Sequence, residues 1–199
     1  MTTTTIESES GQPIELKSRE LAGVLAWLLP GLGHAYQGRW AKAGLYFVCL
    51  MGLYVHGAYL GSQSGPDGVG LARVVYFEGL NFNRLAFFCQ FGIGVPAWPA
   101  VIQYVRVSGG NKPLWNGFMA PPAKADAPYA RDPDLPLAIR AAGGDLHARL
   151  HRFFELGTVY TMIAGLLNIL AIYDACCGPV FPAKSEESES ETESKSAAA

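Results

Sequence analysis

The sequence predicts an all-α integral membrane protein with about four transmembrane helices, the first short or kinked, and one amphipathic helix lying on the membrane surface. Three observations predict it. Half of the 199 residues are hydrophobic and only 16% are charged, and charge nearly vanishes from 45–60, 85–104 and 156–173 instead of being spread along the chain. Each of those runs belongs to a segment that reaches the roughly 20 residues a helix needs to cross a bilayer. A polar, glycine-rich turn, Pro30-Gly-Leu-Gly-His-Ala-Tyr-Gln-Gly-Arg39, lies directly between two apolar stretches and reads as the connection of a tight helical hairpin.

Taken in order, residues 1–18 are Ser/Thr/Glu-rich and are expected to form a disordered acidic tail. They lack the basic start of a secretory signal, so the first apolar segment is expected to remain in the mature protein. The transmembrane hairpin covers 19–60. Within its first arm Pro30 removes a backbone donor, and Gly31 and Gly33 loosen the helix; a kinked short span is the expectation, with a re-entrant segment as the alternative. Residues 61–84 form a loop, with Arg73-Val-Val-Tyr-Phe-Glu78 packing at the headgroup region. The segment 85–105 is a transmembrane helix interrupted by Gly92, Gly94, Pro96 and Pro99, which places a bend near Pro96. Closely spaced prolines make 106–144 an extended loop. In 145–155, Leu146, Leu150, Phe153 and Phe154 oppose Arg149 and Arg152, as in an amphipathic surface helix. Residues 156–177 are the last transmembrane helix, and 178–199 a disordered acidic Ser/Glu-rich tail.

Four spans would put Arg39, Lys42, Arg106, Lys112, Lys124, Arg131, Arg140, Arg149 and Arg152 on one side of the membrane. Lys17, Arg19, Arg73, Arg84, Lys184 and Lys195 would lie on the other. The excess of positive residues then assigns the proline-rich loop to the cytoplasm and both tails to the outside.

In the hairpin turn, Pro30, Gly31, Gly33, His34, Tyr36, Gly38 and Arg39 form an interfacial motif, with Arg39 reaching a lipid phosphate and the Tyr36 and Trp40 rings anchoring at the interface. The stretch Leu29 to Gly44 resembles the turn of the two-transmembrane-helix domain superfamily, whose Gly-x-His-x-Tyr-x-Gly-Arg core falls on Gly33, His34, Tyr36, Gly38 and Arg39, with Ala35 departing from the usual pattern. The whole chain, including Arg152 to Asp174, looks like an uncharacterised bacterial multi-pass membrane family carrying a domain of unknown function. These resemblances imply residence in the bacterial cytoplasmic membrane and supply no reaction.

In the last span, Gly157, Thr161 and Gly165 recur every fourth residue and Asn168 follows on the same side, forming a helix-packing face on which another helix can approach closely. The partner helix is either in this chain or in another. His147, His151 and Glu155 have the spacing of metal ligands, but Ala148 stands where a zinc hydrolase needs glutamate, and solvated side chains are the expectation. Among polar residues in or near the spans, His56, Gln90, Asn168 and Asp174 cost most in hydrocarbon, and Asp174 is close enough to the segment end to reach water. The four cysteines lack metal or redox spacing and read as packed thiols. Neither a nucleophilic triad, a Walker loop nor a dinucleotide loop is recognisable, so no catalytic residue, metal or cofactor is expected. The expected partners are the lipid bilayer and a second copy or another membrane protein; the scattered positive residues exclude a nucleic-acid footprint. The expectation is therefore a non-enzymatic structural or interaction protein, with a small transporter or channel component, or a lipid-binding protein, as the alternative.

Overall fold

A computed structural model describes residues 4–7, 13–16, 18–62, 71–79, 85–123 and 148–177. The helices are α1 (Arg19–Leu28), α2 (Leu32–Tyr36), α3 (Trp40–Leu60), α4 (Leu85–Phe91), α5 (Trp98–Ser108) and α6 (Arg152–Cys177). Strands β1 (Thr4–Glu7) and β2 (Pro13–Leu16) pair antiparallel, Thr4 opposite Leu16 and Ile6 opposite Ile14. Of the acidic tail expected over 1–18, only these two strands and Ser18 are described, and the β-branched Thr4, Thr5, Ile6 and Ile14 favour extended backbone there; the rest of that range lies outside the described residues. The tail at 178–199 lies outside the described residues.

Helices α3 and α6, 21 and 26 residues long, are long and apolar enough to cross a membrane. They run antiparallel. Tyr46 near the start of α3 reaches Asp174 near the end of α6, whereas Gly57 near the end of α3 packs on Gly157 near the start of α6. That second contact is between backbones: a Cβ added to Gly157 would stand 2.6 Å from the Gly57 carbonyl oxygen.

The other two apolar segments break and turn back. Pro30 forces Leu29 into extended backbone, and Gly31 turns the chain at φ +86° with the Ala43 carbonyl directly against it, a position no Cβ can occupy. Helix α2 then returns along α1, so that Ser18 Oγ and Tyr36 Oη, on either side of the hairpin, are 3.1 Å apart. The second break runs from Gly92 to Ala97, with Gly94 at φ +90°. Around Phe77 the two arms of this hairpin converge again, the rings of Phe87 from α4 and Tyr104 from α5 lying 5.0 and 4.9 Å away.

The α1–α2 hairpin therefore starts and ends at the Asp174 end of the α3–α6 pair, and the α4–α5 hairpin at the Gly57 end. Their tips meet halfway along α6. Trp27 sits between Phe91 and Trp98, at ring distances of 5.5 and 6.4 Å, and Gly94 packs on the Trp27 carbonyl. At about 1.5 Å per residue the 10 residues of α1 extend about 15 Å, half of a bilayer's hydrocarbon thickness. Of the about four transmembrane helices expected, the first short or kinked, two are long and apolar enough to cross a membrane, and the other two apolar segments are half-length hairpins. The orientation ledger changes with them, because Arg39 and Lys42 lie at the same end as Arg19, opposite Arg106.

Two smaller corrections concern the Gly57 end. Arg73, Val74 and Val75 are fully buried instead of lying along a surface, because the Val74 methyls fill the space over Gly61 and Gly157. Residues 148–150 make a helical turn, His151 interrupts it at φ +46°, and α6 then runs without a break through the boundary expected at 155–156. Leu150 and Phe154 are buried there and Phe153 is exposed, while 145–147 lie outside the described residues.

Candidate functional site

Along its inner face α6 carries a seam of polar contacts with both hairpins, beginning at its last turn. Asp174 Oδ2 accepts from His34 Nε2 at 2.9 Å, from Arg39 at 3.1 Å and from Lys42 Nζ at 3.4 Å, with Tyr46 Oη approaching to 3.5 Å. A carboxylate at a helix C-terminus opposes the helix dipole, and these cations offset that. Arg39 also donates to the Asp174 carbonyl at 3.2 Å and Gln37 Nε2 to the Ala175 carbonyl at 3.0 Å, which caps two of the carbonyls that a helix end leaves without partners. His34 is fully buried and its ring lies 4.6 Å from that of Tyr46.

Midway along α6, Asn168 Nδ2 donates to the Ala26 carbonyl at 3.2 Å and to the Gly92 carbonyl at 2.9 Å. The choice of those two oxygens has a chemical cause. Four residues after Ala26 stands Pro30, and four after Gly92 stands Pro96; neither has an N–H to offer. One amide group thus replaces both missing donors and ties the two opposed hairpins together.

Further along, Gln90 Nε2 donates to Thr161 Oγ1 at 2.8 Å and to the Val74 carbonyl at 3.2 Å. Thr161 in turn donates to the Gly157 carbonyl at 2.8 Å. Close approach makes this possible: Gly165 faces the Cys89 carbonyl with no room for a side chain, and Gly92 faces Gly165. His34 Nδ1, Asn168 Oδ1 and Gln90 Oε1 are buried acceptors without a donor among the described residues.

The motif residues of the turn therefore serve the chain itself. Pro30 and Gly31 form the hairpin tip, Gly33 packs between Ala26 and Ala175, His34 and Arg39 hold Asp174, Tyr36 meets Ser18, and Gly38 turns at φ +80°. The Arg39 guanidinium, expected at a lipid phosphate, is instead on a carboxylate of α6. The packing face Gly157, Thr161, Gly165 and Asn168 is buried against α1, α3 and α4 of the same chain. Among the described residues no group of three potential ligands could hold a metal; His151 and Glu155 are exposed and His147 lies outside. His56 is exposed and stacks edge-on against Tyr160 at 5.4 Å, away from the seam. The four cysteines are free thiols.

With this geometry in place, comparison with known proteins gives one match: the model of a family of unknown function, DUF6677, covers residues 21–188. The chain belongs to the DUF6677 family. No curated protein and no solved structure matches it. The matched region of this DUF6677 chain runs from the first residues of α1 past the end of α6, so both hairpins and both long helices lie inside it.

Sequence reasoning missed Asp174 as the hub, and with it Gln37, Lys42 and Tyr46. The available signal was that Asp174 is the only carboxylate in α6 after Glu155, on an otherwise apolar helix. It also missed Gln90 as the partner of Thr161, and Gly57 and Gly92 as the surfaces that the α6 glycines approach.

Proposed function

We propose that this DUF6677 chain is a multi-pass protein of the bacterial cytoplasmic membrane without enzymatic chemistry, acting as a small transporter or channel component. Membrane residence is supported by the two long apolar helices, whose spanning windows are only 22% and 33% buried, where the core helix of a water-soluble protein would be mostly covered. Further support is the inversion of polarity: His34, Gln90, Thr161 and Asn168 are fully buried, while Leu45, Val48, Val55 and Leu170 are exposed. Hydrocarbon favours that arrangement and water does not.

The observation that carries the transport reading is the meeting of two half-length hairpins from opposite ends of the α3–α6 pair over Asn168. Broken helices at mid-membrane are how many transporters and channels bring backbone groups to a solute. The rival scaffold reading required the Gly157–Asn168 face to be free for a second copy or another membrane protein, and that face is occupied within the chain. Native mass spectrometry of the gently extracted protein tests the choice. A monomer without a stoichiometric protein partner is the expected result, and a homo-oligomer or a stoichiometric partner complex would favour the scaffold.

A further inference from the structure

We propose that the seam along α6 is a path for a small, uncharged solute that donates hydrogen bonds, of the size and chemistry of water or urea, with the meeting point of the two hairpin tips as its gate. This rests on the transport reading above.

The first ground is the row of unused acceptors. Gln90 Oε1, Asn168 Oδ1 and His34 Nδ1 are buried and lack a donor, and their side chains are bonded to or beside Thr161, Asn168 and Asp174 on α6. At about 1.5 Å per residue, those positions step along the helix by about 10 and 9 Å, a total of about 20 Å of the roughly 30 Å hydrocarbon thickness. An unmet acceptor in a low-dielectric interior favours an occupant with N–H or O–H groups. Between the Asp174 cluster and Arg73, the described parts of the seam carry no acidic or basic side chain, so an ion would be dehydrated without a counter-charge. The solute class is therefore neutral and donor-rich.

The gate follows from the tips. The Ala26 and Gly92 carbonyls are held by a single amide NH2, and an incoming donor can take over either bond without leaving a carbonyl unpaired. At this junction the half-buried Trp27 packs between Phe91 and the exposed Trp98. Widening it requires the two hairpins to separate at their tips, where Asn168 bonds to both.

The test is flux through proteoliposomes containing the full-length chain. Stopped-flow light scattering reads water and urea permeability, and a potassium-sensitive dye reads ion leakage, for the wild type, Trp27→Ala and Trp27→Ala with Gln90→Leu. Size-exclusion profiles of the same preparations report folding. Trp27→Ala is expected to raise water or urea permeability at least threefold over protein-free vesicles without potassium flux, and Gln90→Leu to reverse most of that gain. If potassium passes equally well, the neutral-solute assignment is overturned while a transport role stands. If neither solute nor ion passes in the wild type or the opened variant, both readings fall.

Discussion

Asn168→Leu is expected to destabilise the fold by about 2–4 kcal/mol: leucine keeps the branched four-atom shape but puts bulkier methyls where the amide made its hydrogen bonds. The substitution leaves the Ala26 and Gly92 carbonyls without donors at the point where prolines have already removed their backbone alternatives. Each interhelical hydrogen bond in a membrane contributes about 0.6–2 kcal/mol, and an orphaned carbonyl in an apolar interior adds its own penalty. Asn168→Asp gives a graded control. A neutral carboxyl offers one O–H where the amide offers two N–H groups, and its cost is expected to fall between wild type and leucine. Denaturation of the detergent-solubilised protein measures both. Equal stability of Asn168→Leu and wild type would show that the hairpins are held by packing alone.

Asp174→Ala is the second large effect, expected at about 2–3 kcal/mol, below the 3–5 typical of a broken buried ion pair because the carboxylate is 24% exposed. It strips His34, Arg39 and Lys42 of their common acceptor, leaving the buried imidazole without its partner and the 18%-exposed guanidinium with only the backbone carbonyl of residue 174. Loss should be local. Gly31 to Arg39 is predicted to gain hydrogen exchange and protease sensitivity while the α4–α5 hairpin keeps its protection. Asp174→Asn preserves an acceptor oxygen without the charge and should recover about half the loss. Uniform loosening of both hairpins in Asp174→Ala would mean that the cluster does not act on the first hairpin specifically.

The two breaks were legible in the sequence because Pro30 and Pro96 each remove a donor that no neighbouring residue can replace. What followed each break was not. A kinked span and a hairpin that folds back share the same Pro/Gly signature, and the choice depends on contacts distant in sequence, such as Ser18 with Tyr36 and Phe77 with both Phe87 and Tyr104. The spacing of Gly157, Thr161 and Gly165 marks a small-residue face, yet spacing carries no address, and Gly57 and Cys89, which lie against that face, are far away along the chain. Asp174 looked like a residue reaching water from a helix end. His34 and Arg39 from the turn and Lys42 from the start of α3 take that position because the first hairpin folds back onto α6, which local pattern does not encode.

The arrangement of half-length hairpins is tested most directly by substituted-cysteine labelling in intact cells, with Cys49, Cys89, Cys176 and Cys177 replaced and single cysteines introduced at Ser18, Trp40, Leu71 or Lys112. A membrane-impermeant maleimide reads which side each faces. The account predicts that Ser18 and Trp40 share one side while Leu71 and Lys112 share the other. Four full-length spans would instead pair Ser18 with Leu71 and Trp40 with Lys112, and that pattern would contradict it.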